Sequence, residues 1–179
     1  LKRDSDSGRV AVSPSHRQQR SRKGIESLAV LPLVNVSGDP DSEYLSEGIA
    51  ESLINSFSQL PRLRVVQRSK AFRYRGADLD LQEAGRELNA QAILTGRLMQ
   101  RGDTIIIQME LVDVEKEAQL WGQQYTKTMS DILVLQDQIA DSVSEALKLK
   151  LAGEPKKRVV RHTQNSEAYQ LYLKGRFFF

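Results

Sequence analysis

Residues 27–34 read Ser27-Leu28-Ala29-Val30-Leu31-Pro32-Leu33-Val34. This apolar run is too short for a good helix and fits a β-strand buried on both faces. The segment Asn35 to Ser42 follows, and Ser37-Gly38-Asp39-Pro40 within it is a strong turn signal. A helix then starts, with Asp41 or Ser42 as N-cap and Glu43 in its first turn. Leu45, Ile49, Leu53, Phe57 and Leu60 mark one face of that helix at helical spacing, and Pro61 stops it.

Beyond Pro61, Leu63-Arg64-Val65-Val66 is a short second strand. Ser69 caps a brief turn with Phe72 and Tyr74, and Gly76 breaks it. A second helix runs from about Asp80 to Leu88 with Leu81, Ala84 and Leu88 inward, and Asn89 is its C-cap. From Ala92 the period changes from 3.6 toward 2. Ile93, Thr95, Arg97 and Met99 alternate with Leu94, Gly96, Leu98 and Gln100. Arg101-Gly102-Asp103 is a turn, Ile105 to Val112 the next strand, and Leu120 to Lys127 a third, which makes an antiparallel meander. Met129-Ser130-Asp131 caps a long helix to about Leu151, with Ile132, Leu135, Ile139, Val143 and Leu147 inward. The expected fold is α/β (α+β): a single mixed sheet of about five strands in the order β-α-β-α-β-β-β-α, with helices packed on it. It spans residues 25–152.

The flanks differ in composition. Residues 1–24 are rich in Ser, Arg, Gln and Lys and read as a disordered basic linker. Residues 153–165 are a second linker. A new amphipathic helix, with Ala168, Leu171, Tyr172 and Gly175 on one face, begins after Ser166 and runs into Phe177-Phe178-Phe179. The formal net charge is +3, unevenly laid out. By count the first 24 residues carry about +5 and residues 153–179 about +4, which leaves about −6 for the middle. A basic chain with an acidic central domain is a poor case for nucleic-acid binding by that domain. The chain begins at Leu1 rather than Met, and is expected to be cut from something longer.

Several chemistries are excluded. There is no cysteine, so there is no disulfide, thiolate metal site or cysteine nucleophile. His16 and His162 both lie in linker segments, which removes a histidine-based metal site or triad from the domain. No stretch approaches the roughly 20 apolar residues needed to span a bilayer, and no signal peptide is visible. No cofactor, metal site or catalytic residue is expected.

Two segments are candidate ligand sites. Backbone N–H groups of the Asn35–Ser42 loop, with Asn35, Ser37, Gly38 and Ser42, could hold an anion at a helix start. Asp39, Asp41 and Glu43 oppose that, there is no P-loop lysine, and the plainer alternative is a capped turn. Arg62, Arg64, Arg68, Lys70, Arg73 and Arg75 form a run without an acid, with Phe72 and Tyr74 interleaved. Arg64, Arg68 and Arg73 are its candidate phosphate or nucleic-acid contacts, against a solvated edge whose aromatics enter the core. Glu47 and Glu51, like Glu83 and Glu87, are four apart on a helix and read as solvated rather than as an acid–base pair. Trp121 reads as a core anchor.

The stretch from Ser27 through Pro32, Gly38, Asp39, Pro40 and Tyr44 to Ile49 resembles the opening of the TolB amino-terminal-like, FlgO-related domain. Leu63–Val66, Gly85–Leu88, Leu94–Gly96, Gln119–Trp121 and Gln136–Ala140 share the likeness, which covers about 25–152. Ser166 to Arg176 resembles the helix that opens a tetratricopeptide array, here a truncated first helix in 166–179. The combination is similar to the C-terminal region of bacterial serine/threonine protein kinases, and also occurs behind adenylate cyclase and winged-helix regulator domains. The resemblance implies a non-catalytic sensor or interaction module that binds a protein, peptide or small ligand, with a homo-oligomer also open. In the kinase arrangement an upstream membrane span would put it on the extracytoplasmic side of the inner membrane. The competing expectations are a nucleic-acid- or phosphate-binding domain using the Arg62–Arg75 strip, and an enzyme with an unrecognised site.

Overall fold

Pro32 divides the opening apolar run, because it has no N–H to give a sheet ladder. The computed structural model describes residues 24–148 and has β1 at Ser27–Val30 and β2 at Val34–Asn35, both paired parallel with β4, Ala92–Arg101. The run expected as one strand is therefore two, and the sheet has six strands rather than about five. The remaining elements are α1 (Glu43–Phe57), β3 (Arg64–Val65), α2 (Arg68–Ala71), α3 (Leu81–Glu87), β5 (Thr104–Asp113), β6 (Ala118–Thr128) and α4 (Ile132–Lys148). Short 3-10 turns, Pro40–Ser42 and Met129–Asp131, lead into α1 and α4. The basic segment before Gly24, the 153–165 linker and the repeat-type helix at 166–179 lie outside the described residues, as does the expected end of the long helix at Leu151.

The main path of the sheet is β3-β1-β4-β5-β6, parallel at the β3 and β1 end and antiparallel from β4 onward. It is the mixed sheet with packed helices that the alternation predicts. Leu28, Ala29 and Val30 are fully buried, as a strand covered on both faces requires. Leu94, Leu98, Ile105, Ile107 and Leu111 share the face under α1 and α4. The inward residues predicted for α4, Ile132, Leu135, Ile139, Val143 and Leu147, are all fully buried. Each such aliphatic side chain contributes about 1.5–3 kcal/mol of transfer free energy. Trp121 packs partly buried against the core.

One helix end differs from expectation, and the ends of α3 agree with it. The side chain that caps the approach to α1 is Asp39, whose Oδ1 accepts the Asp41 N–H at 2.9 Å. Asp41 is exposed, and Ser42, at the N-cap position of α1, makes no side-chain cap bond because it turns toward β4. For α3, Asp80 caps Gln82 and Glu83. Asn89, just past its end, takes the left-handed conformation at φ 52°.

β6 is a free edge of eleven residues. A register shift between Leu111 and Val112 on β5 leaves Leu120 as an extra residue in β6. Lys127 pairs with buried Ile105 and so shares the helix-covered face. A bulge and an inward-facing lysine both discourage another strand from adding at such an edge. The sheet's open surface is thus the outer face of β4, β5 and β6, opposite α1 and α4.

Candidate interaction surface

The Asn35–Ser42 loop spends its polar groups on itself and on β4. Asn35 Nδ2 donates to the Asp39 carbonyl at 2.8 Å, and its Oδ1 accepts from the Ser37 N–H and hydroxyl at 3.1 and 2.7 Å. Ser37 Oγ accepts the Gln100 N–H at 3.0 Å. Ser42 donates to Gln100 Oε1 at 2.8 Å, and Gln100 Nε2 donates to the Gly102 carbonyl at 3.2 Å. Gly38, at φ 68°, supplies the left-handed turn. The four residues singled out in the sequence are brought together, with the Asp39 carboxylate among them.

The arginine run spans β3 and the segment after it, where it meets acids from α1. Arg68 approaches Glu47 at 3.7 Å and Glu51 at 3.5 Å, and Arg75 approaches Glu47 at 2.5 Å. The Glu47 and Glu51 side chains are only 15% and 14% exposed, so the expectation of two solvated carboxylates is corrected. Arg68 and Arg75 both lie over the Phe72 ring, at 4.9 and 5.9 Å. Arg64 donates to the Asn89 carbonyl. Arg73 is exposed, and its side chain forms no hydrogen bond or ion pair with the described residues. Tyr74 donates to Glu87, which raises its pKa.

The outer face of the meander carries a feature the sequence reading missed. A shallow depression of about 440 Å³ lies over β4, β5 and β6, lined by Arg97, Gln108, Glu110, Gln119, Gly122 and Gln124 among others. A smaller one of about 90 Å³ adjoins it, walled by Ala77, Leu79 and Leu81. The two share Gly96, Arg97 and Glu110. Arg97 pairs with Gln108 across the ladder and Thr95 with Glu110, so Arg97 and Glu110 are diagonal neighbours on one face. Neither side chain has a hydrogen bond or ion pair among the described residues. Gln108 Nε2 donates to Gln124 Oε1 at 2.8 Å. The outward polar alternation of β4 was the available signal. Which residues meet across three strands depends on register.

Among the described residues no group of three His, Cys, Asp or Glu could hold a metal ion, and no helix is long and apolar enough to cross a membrane.

Comparison with known proteins places this geometry in a family. Residues 23–142 match the model of the HilA/YgeH-like transcriptional regulator, second domain. A Rhizobium meliloti protein named as an adenylate cyclase is 34% identical over 151 residues, 84% of this chain and 26% of that protein. The Tol-Pal system protein TolB of Nitrosococcus oceani is 28% identical over 123 residues, 67% of this chain and 27% of that protein. The chain thus spans about a quarter of the length of the curated relatives it matches. Among solved structures, TolB from Acinetobacter baumannii superposes with a TM-score of 0.53 at 18% identity, covering 70% of this chain and 30% of that one. The lipoprotein GNA1162 of Neisseria meningitidis gives 0.51 at 16% identity, covering 69% and 99%. The fold is therefore of the TolB amino-terminal type that the sequence resembles. The chain belongs, through residues 23–142, to the domain family described as the HilA/YgeH-like transcriptional regulator, second domain.

Proposed function

We propose that this domain is a non-catalytic interaction module of a multidomain bacterial signalling or regulatory protein, and that it takes a protein or peptide partner on the outer face of β4, β5 and β6. The observation that carries the reading is the pair Arg97 and Glu110. They are opposite charges, diagonal on adjacent strands, both without a side-chain partner among the described residues, at the junction of two depressions. Polar groups held ready on a rigid sheet are the usual makings of a recognition surface.

The relatives support a docking or input role. The domain recurs in proteins named as a transcriptional regulator and as an adenylate cyclase, so the output differs while this part stays. A serine/threonine kinase, implied by the sequence resemblance, is a third effector of the same kind, and the helix read at residues 166–176 would open a second docking surface behind the domain. A domain with neither Cys nor His supports the non-catalytic reading, since it lacks the thiol and imidazole that nucleophilic and acid–base sites often use. The nucleic-acid alternative is less well supported, because Glu47 and Glu51 already engage Arg68 and Arg75.

The test is competition. The 179-residue chain, produced in excess in cells that hold the full-length protein, should titrate the partner and suppress the regulated output. Arg97→Glu in the excess chain should relieve that suppression. Output unaffected by the folded chain would overturn the reading.

A further inference from the structure

The groove's own chemistry narrows what it can hold. Its lining is polar: Arg97 is exposed, Glu110 is half-buried, and Gln108, Gln119 and Gln124 stand around them. Glu110 beside Arg97 makes the site unfit for a phosphate or a nucleic-acid backbone, which would meet a carboxylate. A purely cationic ligand meets Arg97 in the same way. A ligand that satisfies both must carry a carboxylate and a cationic nitrogen at matching separation.

That separation is set by the sheet. Diagonal neighbours across an antiparallel pair are about 7–8 Å apart. In an extended peptide, residues i and i+2 share a face and stand about 6.6 Å apart. An acidic and a basic side chain placed two apart on an extended segment therefore span the Arg97–Glu110 distance. The three glutamines each offer an amide donor and an acceptor, the complement of peptide N–H and C=O groups. Gly122 leaves a gap over which the Gln119 amide folds, so an incoming main chain displaces the end of a flexible side chain and no backbone. The depression is open and shallow along three strands, a shape for a segment lying across a surface and not for an enclosed small molecule.

We infer that the outer-face groove binds an extended peptide segment carrying one acidic and one basic residue two positions apart, the acid on Arg97 and the base on Glu110. The inference deepens the proposed use of this face and rests on it.

The test uses the 179-residue chain and acetylated, amidated heptapeptides, whose blocked ends leave only side-chain charge. One peptide carries Lys and Glu two apart among Ser and Thr; control peptides carry two Lys or two Glu; free alanine supplies a small zwitterion. The mixed peptide should bind at least about tenfold more tightly than either control by calorimetry, about 1.4 kcal/mol. Arg97→Glu or Glu110→Lys alone should each weaken it by about tenfold or more with the melting temperature held. The double variant should bind the mixed peptide again. Equal binding of all peptides, no peptide binding, insensitivity to both reversals, or binding of free alanine alone would each overturn the inference. The wider reading of this face would fall separately, through the competition experiment.

Discussion

One carboxylate of α1 holds two guanidinium groups from beyond β3: Glu47 Oε1 lies 2.5 Å from Arg75 Nη1, and its Oε2 lies 3.7 Å from Arg68 Nη2. Arg75 also donates to the Phe72 carbonyl at 2.9 Å. The cluster ties residues 68–75 to the first helix. Glu47→Gln keeps the shape and removes the charge, and should destabilise the domain by about 1 kcal/mol, the upper range for ion pairs with partly exposed partners. The loss should shrink at about 1 M salt, where charges are screened over about 3 Å. Urea unfolding at low and high salt checks both. An unchanged midpoint at low salt would mean that Glu51 and Phe72 hold Arg68 and Arg75 without Glu47.

Two glycines of the meander should respond very differently to alanine. A Cβ at Gly96 would stand 2.2 Å from the Gln108 carbonyl oxygen and 2.7 Å from Met109 Sδ. The first is main chain within the β4–β5 ladder and cannot withdraw, so Gly96→Ala should cost about 3 kcal/mol, the upper end for overpacking. At Gly122 the close atom is Gln119 Nε2, the end of a flexible side chain, and Gly122→Ala should stay within about 0.5 kcal/mol. Thermal melts of the two variants side by side decide it.

Ser46 is fully buried on α1, and its hydroxyl has no hydrogen-bond partner among the described residues. A buried hydroxyl without a partner bears a desolvation cost with no compensating bond. Ser46→Ala should therefore raise stability by about 1 kcal/mol, with alanine's better helix propensity adding to it. A loss of stability would show that the hydroxyl is satisfied in solution.

Alkaline pH should weaken the fold through two tyrosines. Burial raises the pKa of Tyr44, with Asp41 and Asp39 adding to it. Burial also raises that of Tyr125, only partly offset by its hydrogen bond to Ser142. A phenol whose folded pKa lies above its unfolded value of 10.0 contributes stability that is fully present below that value. The contribution is lost as pH rises through the folded pKa. Unfolding free energy should therefore fall as pH climbs past about 10, and Tyr44→Phe with Tyr125→Phe should flatten the fall. An identical pH profile in the double variant would assign the alkaline loss to other groups.

The sequence carried much of this architecture. The helical stripe from Ile132 to Leu147 and the alternation from Ala92 onward are local signals, and each residue they placed inward on α4 is buried. Pro32 was visible inside the first apolar run, yet the run's hydrophobicity outweighed the missing N–H, and one strand was expected where two form. The covering of Glu47 and Glu51 was not legible, because their partners come from residues 68–75 and meet them only through tertiary packing. The groove was hidden for a similar reason. Arg97 and Glu110 look like ordinary outward positions until the hairpin register sets them on adjacent strands.

Site-specific photo-crosslinking asks whether partners are taken on the outer face of β4, β5 and β6. A photo-reactive residue replaces Gln124 on that face, Gln138 on the exposed side of α4, or Lys70 in the arginine segment, each in the full-length protein in its own cells. Position 124 should give a discrete protein adduct, and positions 138 and 70 none. Adducts from 138 or 70 with none from 124 would instead put the interaction surface on α4 or the arginine segment.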